Sequence, residues 1–316
     1  MPYDWGTSEW RAAVRDWVGA EPREQLTRPW STLWTVDTPT GRLWFKENCP
    51  LQRAEPAVHE AVARIAPGYV DPPVAVDSDR GWLLTRDGGP TLAATADSAI
   101  LTGLLRDYAT VQQATIGRRC DLAGLRTAAE PVAAAREQAD ALAATPAGDP
   151  RHISKQDRDR IEAALPALAE SAAILAAGPV PSTLDHGDLM PRNVFARRPG
   201  GPYRFFDFAD AVWAHPFGAL HMLMWELRRR WKIPGPPSGS GDDRIRAVFD
   251  AYLVCWTDFA PLAELRELAG HALRLAALHR SSAWFRILAG AESAAIARHG
   301  GTPWSWLQDV ATPVVV

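Results

Sequence analysis

The sequence predicts an α+β protein with a small, β-rich N-terminal part over residues 1–88 and a larger helical part over residues 89–316. Residues 25–88 contain short apolar and β-branched runs separated by turn residues, which are typical of antiparallel strands. From residue 90 onward, long segments rich in Ala, Leu, Glu and Arg show helical periodicity. The composition, 47% hydrophobic and 22% charged, suits a globular core.

The N-terminal part is expected to begin with a helix capped by Thr7 or Ser8. Its apolar face would carry Trp10, Val14 and Trp17, which follow at helical spacing. This helix precedes the strand-rich segment and is treated as an extension of it.

Strands and one further helix follow in the N-terminal part. The pattern predicts a hairpin with strands at 28–39 and 42–48, because a Thr-Pro-Thr-Gly turn lies where they meet. A helix is expected at 56–68 and another strand at 81–89. Together they predict a small, mostly antiparallel sheet with one helix.

The larger part is predicted to be helical, with one short hairpin inside it. Helices are expected at 96–114, 125–144 and 154–178 from their periodicity and residue content. A turn and a strand follow at 199–208, and a Pro-, Gly- and Ser-rich loop interrupts the later helices at 234–243.

Charge and cysteine content exclude several classes of function. The net charge of −3 gives no reason to expect binding to nucleic acid or to an anionic membrane. Cys49, Cys120 and Cys255 are odd in number and widely spaced, so we expect neither disulfides nor a zinc site. Neither a signal peptide nor a run of about 18 apolar residues is apparent, so we expect a cytoplasmic protein.

A polar cluster lies at residues 184–195, LDHGDLMPRNVF. Asp188 and Asn193 stand in the spacing D-x-x-x-x-N, and Asp207 follows at the end of an apolar strand. Phosphoryl transfer needs a carboxylate that orients the acceptor hydroxyl and takes its proton, and oxygen ligands for Mg²⁺ on the nucleotide phosphates. Asp188 suits the first role, whereas Asn193 and Asp207 suit the second.

The motif HGDLMPRNVF, followed by FFDFADA, resembles the signature of the aminoglycoside phosphotransferase and choline kinase-like family. The resemblance implies a bilobal protein-kinase-like fold and transfer of the γ-phosphate of ATP or GTP to a hydroxyl of a metabolite or antibiotic. It also implies that Asp188 is catalytic and that Asn193 and Asp207 hold Mg²⁺. His186 is expected to be structural, and Asp185 to brace the loop.

The resemblance also implies a nucleotide site in the N-terminal part. A strand lysine, Lys46, would hold the phosphates and pair with a helix glutamate, Glu60, for which Glu55 is a weaker candidate because it precedes Pro56. Further contacts are expected from the turn and from the segment that joins the two lobes. The residues expected to make these contacts are Ser31, Thr32, Thr85, Arg86 and Asp87.

Two departures from the family pattern stand out. The phosphate loop lacks the motif G-x-G-x-x-G, and Ala219 occupies a place where the family usually has an Asp that braces the catalytic loop. His215 or Asp210 could take over that bracing. A non-catalytic protein that binds nucleotide or metabolite is the alternative function.

The acceptor is not specified by these motifs. From residue 218 onward nine acids face eleven bases, which argues against a strongly cationic acceptor. A quaternary amine could instead use an aromatic cage, and a neutral or anionic hydroxylated molecule is equally compatible. The tryptophans available for such a cage are Trp256, Trp284, Trp304 and Trp306.

Overall fold

The computed structural model describes residues 3–93, 95, 97–122, 124–128, 130–233 and 242–312. Within these residues, an antiparallel sheet of five strands forms the N-terminal region, in the spatial order β1-β2-β3-β5-β4. The strands are β1 (Arg23–Arg28), β2 (Ser31–Thr38), β3 (Gly41–Asn48), β4 (Ala75–Asp77) and β5 (Trp82–Arg86). Helix α1 (Ser8–Val18) precedes the sheet, and α2 (Glu55–Ile65) connects β3 to β4.

The C-terminal region is mainly helical. Its helices are α3 (Ser98–Ala114), α4 (Pro131–Ala144), α5 (Lys155–Ala177), α6 (Leu220–Arg230), α7 (Asp243–Leu253), α8 (Leu262–Ala289), α9 (Ser293–His299) and α10 (Thr302–Leu307). Its short strands are β6 (Arg126–Thr127), β7 (Thr183–Asp185), β8 (Val194–Phe195), β9 (Arg204–Phe205) and β10 (Val212–Ala214). The predicted α+β class is confirmed.

Three short strands and one hairpin organise the centre of the helical region. Strand β10 pairs with β6 in parallel and with β7 in antiparallel orientation, and β8 pairs with β9. No helix among the described residues is long and apolar enough to cross a membrane. The predicted loop at 234–243 lies mostly outside the described residues, because 234–241 are not among them.

Two predicted elements differ from the structure, and proline explains both. The predicted strand at 28–39 is interrupted at Pro29, where β1 turns into β2; proline has no N–H to donate to the sheet. The helix expected at 125–144 begins only at Pro131, since proline favours the first turn of a helix. The residues before it form β6 instead.

The N-terminal helix packs on the sheet. Thr7 caps it by accepting a hydrogen bond from Trp10 N at 3.2 Å, as one of the two predicted caps. Trp10 is buried with its ring centroid 5.3 Å from that of Trp34 and 5.8 Å from that of Phe45. Its indole N–H donates to Glu47 Oε2 at 2.7 Å. Helix α1 therefore covers one face of the sheet.

The turn between β1 and β2 contacts the helical region. Trp30 in this turn packs edge-on against Trp284 of α8, with ring centroids 5.1 Å apart, and against His299 of α9 at 5.5 Å. Such aromatic pairs stabilise a protein by more than the burial of their apolar area alone. The turn is therefore held close to the C-terminal region.

Buried polar side chains hold the start of the segment at 184–195 in place through hydrogen bonds. Gln112 of α3 donates from Nε2 to the carbonyl oxygens of Leu184, at 3.1 Å, and of Pro216, at 2.9 Å. The hydroxyl of Tyr252 donates to Gln112 Oε1 at 2.6 Å. Because these groups are buried, each hydrogen bond satisfies a polar atom that water does not reach.

Asp185, at the end of β7, is almost fully buried. Its Oδ1 accepts a hydrogen bond from Gly187 N at 3.0 Å, as expected of a residue that braces the loop. Gly218 lies so close that a Cβ there would overlap with Asp185 Oδ2. Burial raises the pKa of Asp185 to about 7, because the charged carboxylate is desolvated and the Gly187 N–H only partly compensates.

The protonation of Asp185 predicts a pH-dependent stability. The folded protein keeps this proton up to about pH 7, whereas an unfolded Asp releases it near pH 4, so its contribution to stability is lost as pH rises through that window. Asp185→Asn keeps the Oδ1 acceptor without the charge. We expect the variant to be more stable than the wild type at pH 8, by on the order of 3–4 kcal/mol.

Urea unfolding of both proteins at a series of pH values measures this difference. At pH 4 the two should have similar free energies of unfolding, and the gap should open between pH 4 and 8. Parallel curves over that whole range would mean that Asp185 is ionised in the folded protein.

Candidate active site

The site begins where β7 ends and the chain turns at Gly187. This glycine has a φ of +72°, and a Cβ there would overlap with the backbone oxygen of Asp210, so glycine is required on both grounds. The preceding His186 is buried, and its Nε2 lies 2.9 Å from Phe206 O. Desolvation lowers the pKa of His186, which fits the structural role expected for it.

Asp188 and Asn193 contact each other directly. Asn193 Nδ2 donates to the backbone oxygen of Asp188 at 2.9 Å and to its Oδ2 at 3.2 Å. Two arginines also reach the carboxylate: Arg192 Nη2 lies 2.9 Å from Oδ2, and Arg280 Nη2 lies 3.4 Å from Oδ1. Burial raises the pKa of Asp188, although Arg280 and Arg192 oppose the shift.

Asp207 has an unusual backbone conformation. It follows β9 with φ 67° and ψ 60°, in the left-handed region that non-glycine residues seldom occupy. Such strain persists where surrounding contacts hold it and is concentrated at functional sites. Here the contact is an ion pair with Lys46, whose Nζ lies 2.6 Å from Asp207 Oδ1.

Lys46, on β3, joins two carboxylates. Its Nζ also lies 2.7 Å from Oε2 of Glu55, whose side chain is only 1% exposed and accepts a further hydrogen bond from Asn48 Nδ2. Burial alone would lower the pKa of Lys46, but the Asp207 and Glu55 carboxylates outweigh it and raise the pKa. Lys46 in turn lowers the pKa of Asp207 against the effect of burial, so this pair is ionised.

The predicted pairing of Lys46 with Glu60 is wrong, because Glu55 makes it. Glu60 is partly exposed and has no ion pair or side-chain hydrogen bond within the part of the chain that is described. The error comes from where the helix begins. Helix α2 starts at Glu55 with Pro56 in its first turn, a position that tolerates proline because its N–H would have no helical partner.

A cavity of about 310 Å³ lies between the sheet and the β8–β9 hairpin. Of the predicted nucleotide-binding residues, those that line it are Ser31, Lys46, Thr85, Arg86 and Asp87. Thr32 does not, so the prediction for its hydroxyl is wrong: it is fully buried, accepts from Trp34 Nε1 at 2.7 Å and lies 2.7 Å from Thr27 Oγ1.

The wall opposite the sheet is apolar and held by a buried arginine. Phe195 and Phe206 stack with ring centroids 4.2 Å apart and line the cavity. Arg204 forms an ion pair with Asp71 and donates from Nη2 to Gly88 O at 2.7 Å. Arg204 therefore links the hairpin to the segment after β5, a role that no sequence motif indicated.

Arg280, on α8, is a second residue that the sequence motifs do not reveal. Its Nη1 lies 2.5 Å from Asp210 Oδ2, while Gln52 Nε2 donates to Asp210 Oδ1 at 2.6 Å. Arg280 thus bridges Asp210 and Asp188. Of the two residues expected to compensate for Ala219, Asp210 makes these contacts, and His215 Nδ1 accepts from Phe217 N at 3.4 Å.

The four tryptophans considered for an aromatic cage do not form one. Trp256 is fully buried in the main core, and Trp304 packs against a different apolar cluster. Trp284 and Trp306 do share a cluster with Met190. The prediction of an aromatic cage built from all four rings is therefore wrong.

The site offers oxygen ligands for a cation. Asn193 Oδ1 accepts no hydrogen bond from the described residues, and the Asp207 side chain is 36% exposed. Across the described residues, no group of three or more His, Cys, Asp or Glu side chains could hold a metal alone. A cation bound here would need further ligands, such as phosphate oxygens, and the carboxylate–amide pair suits Mg²⁺.

Several solved structures have a similar fold. Amicoumacin kinase hAmiN has a TM-score of 0.63 at 13% identity, covering 99% of this chain and 96% of that one. A mutant of an aminoglycoside 2′-phosphotransferase, solved as its GDP complex, has a TM-score of 0.62 at 13% identity, covering 96% of both chains. A choline/ethanolamine kinase family protein from Mesorhizobium loti has a TM-score of 0.60 at 15% identity, covering 97% and 95%. These likenesses show the protein-kinase-like fold.

Sequence comparisons give a family and a short local match. "Protein kinase ORF16" of Ictalurid herpesvirus 1 (strain Auburn) is 42% identical over 59 residues, which are 18% of this chain and only 14% of the viral protein. The family model described as the phosphotransferase enzyme family (APH) matches residues 51–265, more than half of the chain. The chain therefore belongs to the phosphotransferase enzyme family.

Proposed function

We propose that the protein transfers the γ-phosphate of ATP or GTP to a hydroxyl of a small molecule, a metabolite or an antibiotic. The observation that carries this proposal is the position of Asp207, which pairs with Lys46 beside a cavity of about 310 Å³ and lies near the Asp188–Asn193 pair. Membership in a phosphotransferase family supports the same reaction class.

In this proposal, residues 1–88 and 89–316 act as two lobes with the nucleotide between them. The purine would lie between the sheet and Phe206, where backbone groups of Thr85–Asp87 can meet its edge. Lys46 would hold the phosphates, steadied by Glu55. The cavity volume, about 310 Å³, lies within the usual range for small-molecule sites.

Asn193 and Asp207 would hold Mg²⁺ in the loaded enzyme, through the amide oxygen and the carboxylate. The ion supplies positive charge that neutralises the nucleotide phosphates. The strained backbone of Asp207 and its ion pair with Lys46 fix its carboxylate before any ligand binds.

Asp188 would accept the proton of the acceptor hydroxyl. As the hydroxyl oxygen bonds to the γ-phosphorus, the bond to the bridging oxygen breaks and the nucleoside diphosphate leaves. A carboxylate whose pKa is raised by burial is a better proton acceptor than an ordinary Asp. Asn193 holds Asp188 in place through its side-chain amide.

One observation favours the alternative of a non-catalytic nucleotide-binding protein. Both carboxylate oxygens of Asp188 already contact arginines, Arg192 on one and Arg280 on the other. In the proposed enzyme, the acceptor hydroxyl must compete with these contacts. A protein that only binds nucleotide would have no such requirement.

Separate substitutions of Asp188 and Asp207 should distinguish the roles of the two residues. Asp188→Asn should lower turnover by roughly 10²–10⁴-fold, since it removes the proton acceptor, and should leave MgATP affinity nearly unchanged, since Asp188 does not line the nucleotide cavity. Asp207→Ala should instead lose Mg²⁺-dependent nucleotide binding. ADP release and calorimetric titration with MgATP measure the two effects, and Asp37→Asn, at the exposed end of β2, is the control. Full turnover by Asp188→Asn would show that Asp188 is not the proton acceptor.

A second pair of variants tests which glutamate serves Lys46. Glu55→Gln should weaken MgATP binding by roughly tenfold or more, because Lys46 loses a charged hydrogen bond that orients it. Glu60→Gln should bind MgATP like the wild type. Calorimetry on both variants gives the affinities, and a loss confined to Glu60→Gln would reverse the assignment.

A further inference from the structure

A second, smaller cavity lies on the C-terminal side of the Asp188 loop. Its volume is about 90 Å³, several times the roughly 10–15 Å³ that one water needs, so a group of several heavy atoms fits. Gly187 lines it, next to Asp188 in the chain, and so does Arg280, which contacts Asp188. Arg126 and Arg286 line it as well.

The arginines of this cavity carry more positive charge than its carboxylates balance. Asp210 pairs with Arg280. Arg286 has no ion pair within the described ranges, and its buried Nε has no hydrogen-bond partner there. Arg126 donates to Leu51 O at 2.9 Å. Burial and the nearby charge of Arg126 both lower the pKa of Arg286, and the Asp210 carboxylate only partly opposes them.

Groups that could have supplied the missing negative charge do not supply it. Ala219 lines the cavity, at the place where the resemblance leads one to expect an Asp. Asp185 lines it too, but burial raises its pKa to about 7, so it is partly protonated near neutral pH. Two histidines, His221 and His279, also line it, but a histidine carries no negative charge. Their buried Nδ1 atoms have no hydrogen-bond partner among the described residues.

We propose that this cavity binds an anionic group of the phosphoryl acceptor, a carboxylate or a phosphate ester, through Arg126 and Arg286. The inference rests on the proposed function and narrows its acceptor class. Guanidinium groups bind both kinds of anion with charge-assisted, often paired hydrogen bonds. Arg280 both lines the cavity and contacts Asp188, so an anion held here would bring the acceptor's hydroxyl end close to the base. A polycationic acceptor would be repelled.

Binding can be tested with simple anions. Malonate and inorganic phosphate are titrated into the protein saturated with Mg²⁺ and AMP-PNP, which keeps phosphate out of the nucleotide site. We expect at least one anion to bind and to raise Tm, with a roughly tenfold or greater loss of affinity in Arg286→Gln and Arg126→Gln. The anion that binds more tightly distinguishes a carboxylate from a phosphate.

The matched control is Arg266→Gln, which removes the same charge from α8 at an ion pair with Asp250 outside the cavity. This variant should bind malonate or inorganic phosphate with the affinity of the wild type. Arg286→Lys keeps the charge and should give an intermediate affinity, which preserves the test if a glutamine variant does not fold. Absence of binding by both anions, or equal binding by all variants, would overturn the inference.

Turnover separates this inference from the proposed function. ADP release is measured with hydroxy acids and sugar phosphates, with neutral polyols and nucleosides, and with amino sugars and choline. Turnover of the anionic class, with KM raised tenfold or more in Arg286→Gln, supports the inference. Turnover of neutral or cationic acceptors alone, unchanged in that variant, would overturn it and leave the proposed function standing. No turnover in any class, despite AMP-PNP binding, would overturn both.

Discussion

The structure depends on one partly buried cation, Lys46. It lies on the central strand β3 of the sheet and contacts Glu55 at the start of α2 and Asp207 just after β9. Without Lys46, the buried carboxylate of Glu55 would lack a counter-charge and the carboxylate of Asp207 would lie near it, which is unfavourable. The same contacts connect the N-terminal sheet to the helical region, so the fold and the candidate site rely on one set of ion pairs.

The loops around this cation have little freedom. Gly187 is confined by the backbone of Asp210, and Asp207 holds a left-handed conformation. Helix α8 approaches from the other side and contributes Arg280, which contacts Asp188. Polar groups on three different elements are thereby fixed before any ligand binds. Such preorganisation is what a site that stabilises developing charge requires.

Spacing along the chain was enough to predict the part of the site that is local in sequence. Asp188, Asn193 and Asp207 lie on adjoining loops, so their proximity follows from a short hairpin. Thr32 was misassigned although the alternation of a strand could have prevented the error, since Ser31 and Leu33 line the cavity and Thr32 faces the other side. Glu60 was misassigned because the helix begins at a proline-containing turn.

The remaining features of the site could be identified only from the tertiary structure. Arg126, on β6, lies far in sequence from Arg280 and Arg286, which share α8, and the three come together only because β6 and α8 border the same cavity. The near balance of acids and bases beyond residue 218 gave no sign of this local excess of positive charge. Composition averages over a region, whereas a binding site depends on which charges lack partners.

Transfer of labelled phosphate tests the central claim most directly. The protein is incubated with Mg²⁺, ATP labelled at the γ-phosphate and pooled hydroxylated small molecules, and the products are separated by chromatography. The proposed function predicts that label appears in a small molecule in an amount equal to the ADP formed. Label that stays in ATP, or appears only in inorganic phosphate or on protein, would contradict it.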